Sequence, residues 1–133
     1  MSDPKLGKFK CRIQVLPEDI DQMGHVNNVV YLRWVQDVAT AHWFHVASPE
    51  LQKQYGWVIL RHEIDYHRPA FLTDEIMGYT WVGEHQGAKF YRFVEIYNVK
   101  TEKLLASAKT TWCLLDGQTM RPKRIEADIL ALL

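Results

Sequence analysis

The run NVVYLRWVQDVATAHWFHV, residues 28 to 46, limits the possible folds more than any other part of the chain. Placed at 100° per residue, Arg33, Gln36, Asp37 and Thr40 share one arc of roughly 100°, with Phe44 intruding on it. Val30, Tyr31, Leu32, Trp34, Val35, Val38, Ala39, Ala41, Trp43 and Val46 take up nearly all the rest. A surface helix hides one stripe, whereas this one has to be covered over most of its circumference. Asn27 or Asn28 is the expected N-cap, because an Asn carbonyl accepts a free first-turn N–H.

Strands are available to provide the cover. FKCRIQVL alternates, with Phe9, Cys11, Ile13 and Val15 on one side and Lys10, Arg12 and Gln14 on the other, until Pro17 ends it. A short helical or loop stretch near Pro49 to Tyr55 precedes four more strands: GWVILRHEIDYH, EIMGYTWVGE, AKFYRFVEIYN and KLLASAKTTWCLLD. The links are short enough for antiparallel neighbours. The tail RIEADILALL reads as a short amphipathic helix or a frayed end. The expected fold is therefore α+β, one antiparallel five-stranded sheet curled around a long central helix, with residues 1–133 forming a single domain. Two sheet edges and an incompletely covered helix favour self-association.

Sixteen basic and sixteen acidic residues cancel, so bulk attraction to nucleic acid or an anionic membrane is not expected. No run approaches the roughly 18 apolar residues of a membrane span. MSDPKLGKFK lacks an apolar signal core, which predicts a cytoplasmic protein. Cys11 and Cys113 both fall in predicted strands and read as small hydrophobes with free thiols.

Just ahead of the helix stands DIDQMGHVNN, residues 19 to 28. A helix N-terminus offers unpaired N–H groups and a partial positive charge. One such donor aimed at an oxyanion is worth about 2.7–4 kcal/mol in acyl transfer. A neighbouring carboxylate can attack an acyl carbon or deprotonate water. Thioesters suit the arrangement, since a thiolate leaves readily and no metal is needed. Gly24 lets the chain bend tightly beside a bound substrate, and His25 is placed to hold a water or a backbone group. The same residues also suit a purely structural turn and cap.

DIDQMGHVNNVVYLRW resembles the N-terminal motif of the hotdog-fold acyl-CoA thioesterases, the 4-hydroxybenzoyl-CoA thioesterase-like group, in which D-x-D-x-x-G-H-V-N-N-x-x-Y leads into the central helix. EIDYHRPAFLTDEI resembles that family's second strand, proline turn and third-strand start; LLASAKTTWCLLDGQTMRP resembles its last strand and Arg-Pro turn. The resemblance covers most of the chain in the right order. It implies that Asp21 is the catalytic nucleophile or general base and that the backbone N–H of Asn28 polarises the thioester carbonyl. His25 and Asn27 match positions associated with the site, while Asp19 falls in the supporting turn. It also implies a site between two subunits, in a dimer or dimer of dimers, and no cofactor. Plant acyl-ACP thioesterases carry a similar stretch with Asn at the position of Met23, a departure that weighs against their arrangement.

Other features carry less. Glu63, Asp65 and His67 share a strand face, and His42 and His45 lie three apart on the helix, but no H-E-x-x-H or Cys-x-x-Cys spacing supports a metal. The first set suits a solvated polar face; the histidines suit the polar part of a crowded core or a pocket lining. Arg121, Lys123 and Arg124 form either a solvated turn or a clamp for coenzyme A phosphates, and Lys89 could join the clamp. Tyr31 borders an acyl pocket or packs in the core; Trp34, Trp57, Trp81 and Trp112 cannot be placed relative to a ligand. The expected activity is acyl-CoA hydrolysis. The alternatives are acyl-ACP hydrolysis and non-catalytic acyl binding; a hotdog dehydratase is disfavoured because no H-F-P-G-type stretch presents its histidine.

Overall fold

The computed structural model describes residues 8–133. Strand β1 (Phe9–Ile13) leads through a 3-10 turn at Pro17–Asp19 into helix α1 (Asn28–Val46). Helix α2 (Pro49–Gln54), strands β2 (Tyr55–Tyr66), β3 (Ile76–Gln86), β4 (Lys89–Asn98) and β5 (Leu104–Asp116), and the one-turn helix α3 (Ala127–Leu130) follow. The strands form one sheet in the order β1-β3-β4-β5-β2, and every neighbouring pair is antiparallel.

The long helix packs on this sheet as its composition requires. Tyr31, Trp34, Val35, Val38, Ala39 and Trp43 are buried, while Arg33, Gln36, Asp37, Thr40 and Phe44 stay exposed. Close approach depends on Gly78 of β3, where a Cβ would collide with Val38 and press on Ile13. Asn27 is the N-cap, its side chain accepting the Val29 N–H at 3.2 Å.

Two apolar clusters fill the interior. One gathers Val30, Tyr31, Trp34, Val38, Val94 and Ile96; the other gathers Trp43, Tyr55, Phe90, Leu114 and Ile129. Alternation along β4 places Arg92 between Phe90 of one cluster and Val94 of the other, and the buried His42, Thr80 and Thr110 join it in a polar layer.

The tail forms a short helix of one turn, seated by Ile129, within what the sequence suggested. Two expectations need adjustment. β1 stops at Ile13, although Val15 is still buried. His42 enters the core as expected, but His45 is exposed, with its ring beside Phe9. Cys11 and Cys113 are free. Among the described residues, no helix is long and apolar enough to cross a membrane, and no three His, Cys, Asp or Glu side chains are grouped as metal ligands.

The sheet edges differ. β1 is short, whereas β2 runs for 12 residues with one side unpaired among the described residues and with Val58 and Leu60 exposed.

Candidate active site

Residues 19–27 form a small closed loop ahead of α1. Asp21 N–H donates to His25 O at 2.7 Å, Asn27 N–H to Asp19 O at 2.8 Å, and Ile20 bridges Val26. Gly24 closes the turn at φ 81°, in the left-handed region where a side chain is strained; nothing lies near its missing Cβ, so the requirement is for backbone freedom and not for space. Val26 N–H donates to Ala70 O at 2.9 Å and docks the loop on the segment after β2.

The two carboxylates have different partners. Asp19 is 1% exposed and accepts Arg33 Nη2 on both oxygens at 3.0 Å, and the Leu16 N–H at 2.9 Å. It ties the loop to α1. Asp21 is half-buried, and its Oδ1 accepts N–H groups from Met23 at 2.8 Å and His25 at 3.2 Å. Among the described residues its Oδ2 has no hydrogen-bond donor. One oxygen therefore fixes the carboxylate's direction, and the other is free of donors among the described residues.

The helix tip completes this side. Asn27 takes the Val29 N–H, and Val30 N–H turns back to Asn27 O at 2.9 Å, but the Asn28 N–H has no acceptor among the described residues. Tyr31 is 2% exposed; its hydroxyl accepts the Ala70 N–H at 2.9 Å and donates to Arg68 O at 3.4 Å. Burial holds its phenol above the usual tyrosine range. Tyr31 thus braces α1 against residues 68–70 and also borders the cleft.

Asp21, His25, Asn28 and Tyr31 line one open cleft of about 240 Å³, whose opposite wall is Tyr66, His67, Arg68 and Pro69. Sequence reasoning missed this wall as part of the site. Tyr66 donates to Asn28 O at 3.3 Å, and His67 Nε2 pairs with Ser107 Oγ at 3.0 Å. The available signal was an aromatic-basic cluster, YHR, directly before Pro69 at a strand end. Gly24 and Asn27 shape the loop and cap the helix without lining the cleft, and the His25 ring meets Phe71 edge-on at 5.1 Å.

The basic candidates are elsewhere in the same chain. Arg121 and Lys123 follow β5, and the bond from Ile125 N–H to Gly87 O at 2.9 Å sets Arg124 beside the turn that opens on Lys89. Tyr66 pairs with Ala106 and Tyr55 with Asp116, so β5 separates this cluster from the cleft by roughly 33 Å. Lys123 Nζ stands 5.9 Å from the Tyr55 ring.

A helix wrapped by an antiparallel sheet in this order is the hotdog fold. Solved structures share it: a 1,4-dihydroxy-2-naphthoyl-CoA thioesterase from Synechocystis superimposes with a TM-score of 0.81 at 18% identity, covering 95% of each chain. A thioesterase from Thermus thermophilus, in complex with coenzyme A and Zn, gives 0.80 at 22% identity, covering 92% of this chain and 89% of its own. A probable thioesterase from Bartonella henselae gives 0.75 at 22% identity, covering 90% and 98%. No protein with a curated description matches the sequence. The family model of the thioesterase-like superfamily matches residues 15–133, and the chain belongs to that superfamily. Its class is thioester hydrolase.

Proposed function

We propose that this protein hydrolyses acyl-CoA thioesters, with Asp21 as the activating carboxylate and the Asn28 N–H as oxyanion donor. The observation that carries the reading is their shared cleft: a carboxylate with one oxygen anchored and one unbonded, facing the same space as a helix tip with an unused N–H. As general base, Asp21 takes a proton from water while the resulting hydroxide adds to the thioester carbon. Asn28 N–H and the helix dipole stabilise the oxyanion. Collapse expels the thiolate, and the proton returns to sulfur. As nucleophile, Asp21 would form an anhydride that water then cleaves. Both routes use the same atoms, and neither requires a cofactor. Coenzyme A bound in the Thermus thermophilus structure supports the choice of carrier.

The open β2 edge supports the same reading. Two β2 strands pairing antiparallel along their open edges would set the Tyr55 end of one chain near the Tyr66 end of the other. Lys89, Arg121, Lys123 and Arg124 would then approach the partner's cleft, as a phosphate clamp requires.

The test is thiol release over short, long and aromatic acyl-CoAs beside matched acyl-ACPs. Turnover of the CoA esters at higher kcat/KM supports the proposal. Preference for acyl-ACP would move the assignment to the other carrier, and tight binding without release to any member would make the protein a non-catalytic acyl binder.

A further inference from the structure

A second cavity, of about 250 Å³, lies between the C-terminal half of α1 and the sheet and shares no lining residue with the Asp21 cleft. Its walls include Trp43, Tyr55, Trp57, Phe90 and Trp112, and the charged side chain among them is Arg92. Arg92 is 3% exposed. Its Nη1 donates to His42 Nδ1 and Thr80 Oγ1, both at 3.0 Å, so it faces a neutral imidazole and a hydroxyl. Among the described residues no carboxylate lies within 4 Å of the guanidinium, and Nε and Nη2 have no acceptor.

These features share one chemistry. A buried cation is costly unless paired, and Arg is the residue that stays charged under such conditions. Burial draws it down only to about 10, so it is cationic at neutral pH. Water could accept the free N–H bonds, but it would leave the charge uncancelled. An apolar body would fill the aromatic walls, and a terminal anion would meet the guanidinium. We propose that this cavity binds an aromatic or acyl body ending in a carboxylate, with Arg92 as counter-ion.

Two sources supply that chemistry: a free carboxylic acid, or a substrate acyl group with a second carboxylate at its far end. Titration calorimetry with 4-phenylbutyrate and its primary amide tests the site without turnover, so a failure of the hydrolytic assignment would not affect it. The acid should bind at least tenfold more tightly than the amide. Arg92→Met should abolish the acid's advantage; if that protein does not fold, Arg92→Gln, which keeps an amide donor for His42 and Thr80, should abolish it as well. Thiol release from acyl-CoAs matched in length, with a terminal carboxylate or methyl, identifies the source. A lower KM for the carboxylate ester assigns the acyl end; acid binding without such a preference assigns the free acid. Equal binding of acid and amide, or an acid advantage unchanged in a folded Arg92 variant, overturns the proposal.

Discussion

Asp19 and Asp21 stand two residues apart, yet they should respond to the same substitution in opposite ways. Asp19→Asn removes a charge from a side chain that is 1% exposed and holds Arg33 through both oxygens. An Asn can keep its carbonyl toward Leu16 N–H, but its amide then faces a guanidinium. A charge-assisted hydrogen bond is worth about 1.5–3 kcal/mol, and the Arg33 side chain is 46% exposed, which reduces the loss to about 1–2 kcal/mol. A chain of 133 residues melts with an entropy of about 0.28 kcal/mol/K, so Tm should fall by about 4–7 °C. Asp19→Ala also strips the acceptor from Leu16 N–H and should cost roughly 3 kcal/mol, about 11 °C. Thermal melts followed by circular dichroism give the first number. Thiol release well below the lowered Tm gives the second, and kcat should stay within a few-fold of the parent. If Asp19→Asn melted like the parent and had lost turnover, the division of labour between the two carboxylates would be wrong.

Further perturbations test the packing. Gly78→Ala should destabilise by about 1–3 kcal/mol in denaturant titration, since the new Cβ meets Val38; in a Val38→Ala background the cost should nearly vanish, whereas additive costs would place the strain elsewhere. His42 is held down to about 4 from 6.5, first by burial and then by Arg92 and His45. The unfolded chain therefore binds the extra proton between these values, and stability should fall as pH drops from 6.5 to 4, by at most about 3 kcal/mol. His42→Gln should flatten the pH dependence of Tm in that window, and an unchanged slope would assign it to other groups. Tyr31→Phe should cost about 1–3 kcal/mol by orphaning the Ala70 N–H, read as a lower denaturation midpoint; an unchanged midpoint would show that this brace is dispensable.

Much of this architecture is legible in one dimension because period and punctuation are local properties. Residues 28 to 46 announce a helix that must be covered, and the structure buries Trp34 and Val38 and leaves Arg33, Gln36, Asp37 and Thr40 outside. The loop before it is readable for the same reason, since Asn27, Gly24 and Asp21 act through neighbours within a few residues. The cleft's second wall is not local: Tyr66, His67 and Arg68 reach it only because β2 pairs with β5 and Tyr31 bonds across to residues 68 and 70. Arg92 did leave a trace, standing at period two between Phe90 and Val94 in an otherwise apolar inward row. Trp57 and Trp112 left none, because only strand pairing brings them onto one cavity.

The central claim concerns Asp21 and is tested most directly by the ratio of kcat for the parent and Asp21→Asn on a good acyl-CoA. Asn retains an acceptor for the Met23 and His25 amides through one oxygen, so the variant should melt within about 2 °C of the parent. Loss of the activating carboxylate should lower kcat by about 10²–10⁴-fold. A folded Asp21→Asn protein that turns over at the parental rate would contradict the account.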